Sequence, residues 1–316
     1  MRFLLLLLVA FGARALAQEA YPSKPIRVVV GYSAGGGNDL IVRVIAPRLG
    51  EALGQPLIVD NKPGAQSIIA AEFVAKSAPD GYTLLMGPSG PMTINPATYS
   101  KLPYSPLRDF TPIAMIGSFP LIVAVDPQLP VRSIRELIDY AKANPGKVNY
   151  ASSAGIFQIA TELFKQKTGT QFEMIPYKGS GDSVQAVAAG QVTMTFGDPP
   201  PLTGALKSGS VRGLAVTSAK RHSSWPELPT LIELGIPDME VPVWTALFAP
   251  ARTPPAIVAR LQREVARTVH LPEIKERFAA MGIDPVGSTS EELARQVARD
   301  IEKWTAVAKT AGIKND

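Results

Sequence analysis

Short apolar runs alternate with amphipathic segments along most of the chain. Ile26–Val30, apolar except for Arg27, predicts a buried strand, and Leu40, Val44 and Leu49 then lie in a predicted helix. Strands alternating with helices indicate an α/β fold with a largely parallel sheet covered on both faces. Further strands are predicted at 57–59, 83–86, 121–125, 148–151, 172–175, 192–196, 213–216 and 243–249, and helices at 65–76, 159–168, 182–189 and 201–208.

The pattern changes to helices alone in the last third of the chain. Apolar residues recur with helical spacing at positions 257, 258, 261, 265 and 269, and again at 293, 297, 301 and 304. Ser133 with Glu136, and Thr289 with Glu292, have the spacing of a capping box, which predicts that a helix begins after each. Asn38 or Asp39 is predicted to cap the helix that contains Leu40.

Two sets of strands and helices predict two lobes, because about 300 residues exceed what one compact core usually serves. The polar connections predict that the chain crosses between lobes at 118–121 and returns at 216–229. Residues 21–119 with 225–316 form the first predicted lobe, and residues 120–224 form the second. Two crossings make a hinge, and the cleft between two lobes is a usual place for a small ligand.

The first residues have the pattern of a secretory signal peptide. Arg2 precedes nine apolar residues at 3–11, and Ala15 and Ala17 are small residues at the positions read by a signal peptidase. Nine apolar residues are too short to cross a bilayer, which requires about 20. We therefore predict a signal peptide at 1–17, cleavage before Gln18, and a periplasmic location.

The composition argues against several kinds of chemistry. The chain has no cysteine, which excludes disulfides, thiol catalysis and a lipid-anchoring cysteine. Its two histidines, His222 and His270, lie outside the predicted strand-end loops, and no pattern typical of a metal site is present. The net charge of +5 includes no basic run longer than Lys220–Arg221, so nucleic-acid binding is not expected. No cofactor is expected.

Five loops at the carboxyl ends of predicted strands are candidates for ligand binding, because ligands of parallel α/β sheets lie at these ends. In the first, three consecutive glycines expose backbone N–H groups before a helix, which favours an anion by about 0.3–1 kcal/mol. Each loop alone can also be an ordinary turn. Asp39 and Asp198 are interpreted as residues that cap helices or orient loops. The loops are 31–39, 87–91, 152–157, 177–182 and 197–199.

Short motifs recur along essentially the whole chain. They are YPSKPIR at 21–27, GGGND at 35–39, LGQP at 53–56, DNKPGA at 60–65, APDGYT at 78–83, NYASS at 149–153, PYKGS at 176–180, LAVTS at 214–218 and LPT at 228–230. As a set these motifs are highly specific, and they resemble those of the tripartite tricarboxylate transporter receptors, also called the Bug family.

The resemblance implies a two-lobed fold like that of type II periplasmic binding proteins. It also implies that a small carboxylate is held in the cleft by backbone amides, hydroxyls and bridging waters, then delivered to a membrane transporter. No catalysis is expected, contact with the membrane subunits is expected to be transient, and the receptor is expected to be a monomer. The implied ligand-binding residues are Tyr32, Ser33, Gly36, Gly37, Asn38, Ser89, Gly90, Ser152, Ser153, Ala154, Phe157, Tyr177, Ser180 and Asp198.

Two loops depart from the family pattern. Members commonly approach the triple glycine with a Pro-Phe-Pro-Pro type segment, where this chain has GYSA at 31–34, and their Ser-Gly-Asn-Gly stretch is shortened here at 153–155. We therefore hypothesise that Tyr32, Ile156 and Phe157 form a partly apolar far end suited to an aromatic or longer aliphatic carboxylate. Two alternatives stay open: a sensory receptor with the same cleft, and a secreted hydrolase or transferase that uses Asp198 as a base.

Overall fold

The computed structural model describes residues 21–315, with Ala311 described only in its backbone, and its strands form two sheets. We call the six-stranded sheet with its helices the first lobe and the five-stranded sheet with its helices the second lobe. The first sheet contains β1 (Ile26–Val30), β2 (Leu57–Asn61), β3 (Thr83–Pro88), β4 (Phe110–Pro120), β10 (Pro242–Pro250) and β11 (Asp284–Pro285) in the order β11-β4-β10-β3-β1-β2. The second contains β5 (Ile122–Val125), β6 (Asn149–Ser152), β7 (Glu173–Pro176), β8 (Met194–Gly197) and β9 (Arg212–Val216) in the order β7-β6-β8-β5-β9.

Helices connect most of these strands. A 3-10 turn at Ala65–Ser67 precedes the second helix, and a π-helical turn at Gly90–Ile94 follows β3. Among residues 21–315, the helices include none with the length and apolar character needed to cross a membrane. They are α1 (Gly37–Leu53), α2 (Ile68–Ala75), α3 (Asn95–Thr98), α4 (Pro106–Asp109), α5 (Ile134–Ala143), α6 (Gly155–Thr168), α7 (Ser180–Ala188), α8 (Pro199–Ser208), α9 (Pro255–Val269), α10 (Pro272–Ala280) and α11 (Ser290–Ala311).

The prediction of a largely parallel sheet is only partly correct. Strand β1 runs parallel to β2 and β3, and β6 runs parallel to β7 and β8. Strand β10 is antiparallel to both β3 and β4, and β5 is antiparallel to both β8 and β9. Parallel neighbours need a crossover, usually a helix, whereas β5 and β10 enter their sheets directly from the connections between the lobes.

The two connections between the lobes meet at Thr217. Only Leu121 separates β4 from β5, and its N–H donates to Thr217 Oγ1 at 2.9 Å. The Thr217 N–H donates back to the Leu121 carbonyl at 3.0 Å, and the Val241 N–H donates to the Thr217 carbonyl at 3.0 Å. The crossings are therefore tied together by buried hydrogen bonds. The exact lobe limits, 21–119 with 225–316 and 120–224, stay a prediction.

Several helix starts differ from those predicted. Gly36 is the N-cap of α1, without a side-chain bond, so the predicted cap by Asn38 or Asp39 is wrong. Asp39 instead accepts hydrogen bonds from Gly35 N and Asn61 Nδ2 at 2.9 and 3.0 Å, and also pairs with Arg43. With these three donors, its carboxylate braces the glycine-rich loop rather than the helix end.

The predicted capping boxes have different outcomes. The box of Thr289 and Glu292 is present in both directions. At the start of α5, Ser133 accepts from Glu136 N at 3.2 Å, but the Glu136 carboxylate accepts from Arg132 N. Only half of that predicted box forms, because the Glu136 side chain extends one residue further back.

Small residues and prolines conceal where other helices begin. The helix predicted at 65–76 begins only at Ile68, since the three residues before it have positive φ. Helices α6, α7 and α8 begin earlier than the apolar periodicity indicates, at Gly155, Ser180 and Pro199.

The predicted signal peptide at 1–17 lies outside the described residues.

A buried polar pair joins the C-terminal helix to the first sheet. Trp244 on β10 donates its indole N–H to Asp300 Oδ2 on α11 at 2.7 Å, and both residues are buried.

We expect Asp300→Ala to lower the free energy of unfolding by about 1–3 kcal/mol, because the indole N–H is left without an acceptor. Urea unfolding followed by Trp fluorescence measures this loss. Asp300→Asn, which keeps an acceptor oxygen, is the control, and equal stability of the alanine variant and wild type would contradict the interpretation.

Candidate functional site

The glycine-rich loop of the first lobe meets the loop before α7 in the second lobe. Gly37 N donates to Ser180 Oγ at 3.1 Å, and Ser33 Oγ donates to Asp182 Oδ2 at 2.7 Å. The backbone joins as well, since Ser33 N donates to the Lys178 carbonyl at 3.4 Å. Two of the five predicted loops are therefore in direct contact across the cleft.

The close approach of these loops depends on missing side chains. A Cβ on Gly37 would lie 1.7 Å from Asp198 Oδ2, and a Cβ on Gly179 would lie 2.1 Å from Ser33 Oγ. Real Cβ atoms do not come so near other heavy atoms, so any larger residue would separate the lobes. The glycines therefore allow the closed contact seen in this structure.

Several helices begin at this contact. Helices α1, α7 and α8 start at Gly37, Ser180 and Pro199, and α6 starts at Gly155 beside Gln66 of the first lobe. The N-terminus of a helix carries partial positive charge and unpaired N–H groups. The helix N-termini of the interlobe region thus favour an anion.

Asp198 is an acidic group within this region. It is 2% exposed, its Oδ2 lies against Gly37, and its Oδ1 has no hydrogen-bond partner. Burial raises the pKa of Asp198 to about 6, against the opposite effect of the Ser180 hydroxyl. Asp198 occupies the N-cap position of α8 without a side-chain capping bond, so its carboxyl group contacts α1 rather than capping its own helix.

Tyr32 lies close to the same group. Its ring is buried, its hydroxyl has no partner, and a Cβ on Gly90 would lie 3.3 Å from that hydroxyl. Burial raises the pKa of Tyr32, and the neighbouring Tyr104 and Asp198 act in the same direction. Tyr32 therefore stays a neutral hydroxyl that can donate or accept a hydrogen bond.

A cavity of about 380 Å³ opens between the lobes at these loops. Larger cavities of about 720, 520 and 420 Å³ are lined by α1 with β2, by α6 with α11, and by α5 with residues 234–236. They lie away from the strand-end loops, so among residues 21–315 we take the cavity at these loops, called the interlobe cavity, as the candidate site. Its lining from the first lobe is Gly31, Tyr32, Gly64, Ala65, Gln66, Ser67 and Tyr99, and from the second Ser152, Ser153, Met174, Pro176, Tyr177 and Lys178.

Buried polar atoms without a hydrogen-bond partner concentrate around this cavity. Buried polar groups are nearly always paired, so such a cluster indicates that a bound molecule supplies the partners. His222 Nε2 also has none, but it lies elsewhere, 3.5 Å from Asp284. Four of the atoms belong to residues that line the cavity, namely Tyr32 Oη, Gln66 Oε1, Ser67 Oγ and Ser153 Oγ. The others, Ser89 Oγ, Asn95 Oδ1 and Asp198 Oδ1, belong to residues of neighbouring segments.

The segment 64–67 is the part of the site that sequence reasoning missed. It was predicted to be the start of a helix, yet Ala65, Gln66 and Ser67 have φ values of 45, 50 and 69°. Left-handed conformations are uncommon for residues other than glycine. Gly64 after Pro63 was the available turn signal, but it did not indicate that the next three residues line a cavity.

Other predicted site residues have different surroundings. Asn38 Oδ1 accepts from Thr245 Oγ1 at 2.8 Å within the first lobe. Ile156 and Phe157 are buried in the hydrophobic core, and neither lines the cavity. Ala154 lies near Gly90. The partly apolar far end therefore stays a prediction, with Tyr32 as its one member at the cavity.

Catalytic and metal-binding groups are sparse in the described part of the chain. Residues 21–315 contain no group of three histidine, aspartate or glutamate side chains that could hold a metal ion. His222 packs against Trp225, and His270 follows the last residue of α9. Neither histidine lines the interlobe cavity.

Comparisons with known proteins agree with this architecture. Residues 41–313 match the model of the tripartite tricarboxylate transporter family receptor. Protein BugT of Bordetella pertussis is 36% identical over 305 residues, covering 96% of this chain and 94% of BugT.

Solved structures match over nearly the same length. Rpa4515 of R. palustris with adipate has a TM-score of 0.90 and 38% identity, covering 93% of this chain and 99% of that one. MatC (Rpa3494) from Rhodopseudomonas palustris with bound malate has a TM-score of 0.88 and 31% identity, covering 91% and 99%. These matches confirm the predicted two-lobed α/β fold of periplasmic binding proteins.

The raised pKa of Asp198 predicts a pH-dependent stability. Its folded-state pKa of about 6 lies above the ordinary unfolded value of about 3.9. The folded state therefore binds the proton of Asp198 more tightly than the unfolded state does. The resulting contribution to the free energy of unfolding is fully present below pH ~4 and is lost as the pH rises through ~6. We expect the stability of wild type relative to Asp198→Asn to fall by up to about 3 kcal/mol between pH 4 and pH 7.

Urea unfolding at several pH values measures this difference. Asp139→Asn removes an exposed carboxylate from α5 and controls for the loss of one negative charge. A constant stability difference between wild type and Asp198→Asn from pH 4 to 7 would show that Asp198 titrates normally.

Proposed function

The chain belongs to the tripartite tricarboxylate transporter receptor family, and we propose that it is a periplasmic receptor that binds a small organic carboxylate between its lobes. The observation that carries this proposal is the cluster of unpartnered buried polar atoms around the interlobe cavity. Hydroxyl groups and helix N-termini from both lobes surround it. Such groups suit a carboxylate, which needs several hydrogen-bond donors and gains from positive partial charge.

The ligands of two related structures support the proposal of a small organic carboxylate. Rpa4515 holds adipate and MatC holds malate, and both match this chain over more than nine-tenths of its length. A cavity of about 380 Å³ has the size for an acid of this kind. Bridging waters can complete contacts that are too long to be direct, so an arginine is not required.

Binding is coupled to closure of the cleft. A ligand in the cavity touches both lobes, so it stabilises the closed arrangement relative to an open one. The bonded crossings at Leu121 and Thr217 act as the hinge, because the chain passes between the lobes at these points. A micromolar dissociation constant requires about 8 kcal/mol, which several hydrogen bonds and apolar burial can supply.

The receptor acts as a monomer that delivers its ligand to membrane transporter subunits by transient contact. The proposed role is binding rather than catalysis, which the match to a family of receptors supports. The predicted signal peptide and the family together support export to the periplasm.

Two serines test the position of the site. Ser152 lines the cavity, and Ser180 accepts the Gly37 N–H across the cleft. We expect Ser152→Ala and Ser180→Ala each to weaken carboxylate binding about fivefold, for the loss of ~1 kcal/mol of hydrogen bonding. A thermal-shift screen of mono-, di- and hydroxycarboxylates identifies a ligand, and titration calorimetry measures its affinity in each variant.

Ser208→Ala is the matched control, since Ser208 is an exposed residue at the end of α8. Unchanged affinity in both cleft variants would place the site elsewhere. Absence of binding to every carboxylate in the screen would contradict the proposed ligand class.

Gly37 tests the closure step separately. We expect Gly37→Ala to weaken ligand binding at least tenfold with little change in ligand-free stability, because the added Cβ collides with Asp198 only in the closed arrangement. Calorimetry gives the affinity, and small-angle scattering with ligand should give a larger radius of gyration than for wild type. Gly204→Ala, in α8 with open space around its Cα, is the control. A variant that closes and binds like wild type would contradict this mechanism.

A further inference from the structure

Gln66 combines a strained backbone with a place at the cavity. Its φ and ψ of 50 and 44° lie in the left-handed region, as do the φ values of the residues on either side. Such conformations are unfavourable for residues other than glycine and persist only where the surroundings hold them. Gln66 lines the interlobe cavity, and its backbone carbonyl accepts from Asn95 Nδ2 at 3.0 Å.

The side chain of Gln66 has one paired and one unpaired end. Its Nε2 donates to Gln158 Oε1 of the second lobe at 3.5 Å, whereas its Oε1 is buried without a partner. A Cβ on Gly155 would lie 2.9 Å from this Oε1, so the oxygen rests against the first turn of α6. An unpaired buried carbonyl oxygen is costly unless a donor comes from elsewhere.

A chain of hydrogen bonds determines which end of the amide stays unpaired. Thr98 Oγ1 donates its single proton to the Ile94 carbonyl at 3.0 Å. It can therefore only accept in its bond with Asn315 Nδ2, which donates to it at 3.2 Å. The backbone N–H of Asn315 also donates to the Thr98 carbonyl at 2.9 Å. The backbone bond holds Asn315 beside Thr98, and the bond from Nδ2 to Thr98 Oγ1 determines the orientation of the side-chain amide.

The orientation of the Asn315 amide determines that of Gln158 and, through it, that of Gln66. Asn315 Oδ1 accepts from Gln158 Nε2 at 2.9 Å, which leaves Gln158 Oε1 to accept from Gln66 Nε2. Reversing the Gln66 amide would place two acceptors against each other. Gln66 therefore presents an acceptor oxygen, whereas the hydroxyls of Ser67 and Ser153 can rotate to donate or accept.

We propose that Gln66 is a specificity-determining residue that selects carboxylates bearing a hydroxyl, over the same acids without one, through its fixed acceptor Oε1. The inference rests on the proposed function and adds the substrate class within it. A ligand with a hydroxyl can donate to this unpaired Oε1, whereas its deoxy analogue leaves the oxygen unpaired. Sites built to bond a hydroxyl discriminate strongly against analogues that lack it.

Pairs of acids that differ only by one hydroxyl test this selection. Titration calorimetry of wild type with malate and succinate, and with mandelate and phenylacetate, should show at least one pair in which the hydroxy acid binds about tenfold more tightly. The aromatic pair also tests whether the cavity accepts the larger acids predicted from Tyr32, Ile156 and Phe157. Binding of the acids with equal affinity within every pair would overturn the proposal, whatever any variant does.

Gln66→Met removes the acceptor at nearly constant side-chain length. We expect the preference within the pair to fall to about twofold or less, through weaker binding of the hydroxy acid. Gln191→Met, at an exposed position, is the matched control and should keep the wild-type preference. A tenfold preference that survives in Gln66→Met would assign the selection to another residue.

Asn315→Ala tests the positioning chain. It should lower the preference while leaving the affinity for the deoxy acid within about twofold of wild type, because Gln158 and Gln66 can then reorient. If Asn315 were only structural, Asn315→Ala would weaken the binding of both acids equally. That result would overturn the positioning step. If wild type binds none of these four acids but binds another acid of the screen that carries no hydroxyl, this inference is overturned while the proposed function stands. Absence of binding to every acid of the screen would instead contradict the proposed function.

Discussion

The contact between two glycine-containing loops is the constraint on which the cleft depends. Gly37 at the start of α1 lies against the buried carboxyl group of Asp198 from the other lobe, and its N–H is bonded to Ser180. Side chains at this point would hold the lobes apart. Because the backbones meet so closely, helix N-termini and hydroxyl groups from both lobes come within reach of one small molecule.

The same closeness explains the polar character of the cavity. Bringing the lobes together removes water from Tyr32, Ser153 and Asp198, whose buried atoms then lack partners within the protein. In the proposed mechanism, a ligand that bridges the lobes supplies these partners, so that binding and closure form one equilibrium. The rise in the pKa of Asp198 has the same origin, since burial disfavours its charged form.

Much of the fold could be predicted from local patterns. The apolar run of β1 and the helical spacing after residue 255 agree with the structure because neighbouring residues determine which face is buried. The starts of α6 and α8 could not be predicted, since glycine and proline carry no periodic signal. The antiparallel entry of β10 also lay beyond local patterns, because it depends on a strand that returns from the other lobe.

The sequence by itself determined the alternation of elements, the family, and the loops where a ligand could bind, since each of these is written in residues close together along the chain. Only the tertiary structure decided which loops meet. The orientation of the Gln66 side-chain amide follows from Gln158 and from Asn315, which lies 157 residues after Gln158. Such relations arise from packing between distant segments, which no local pattern records.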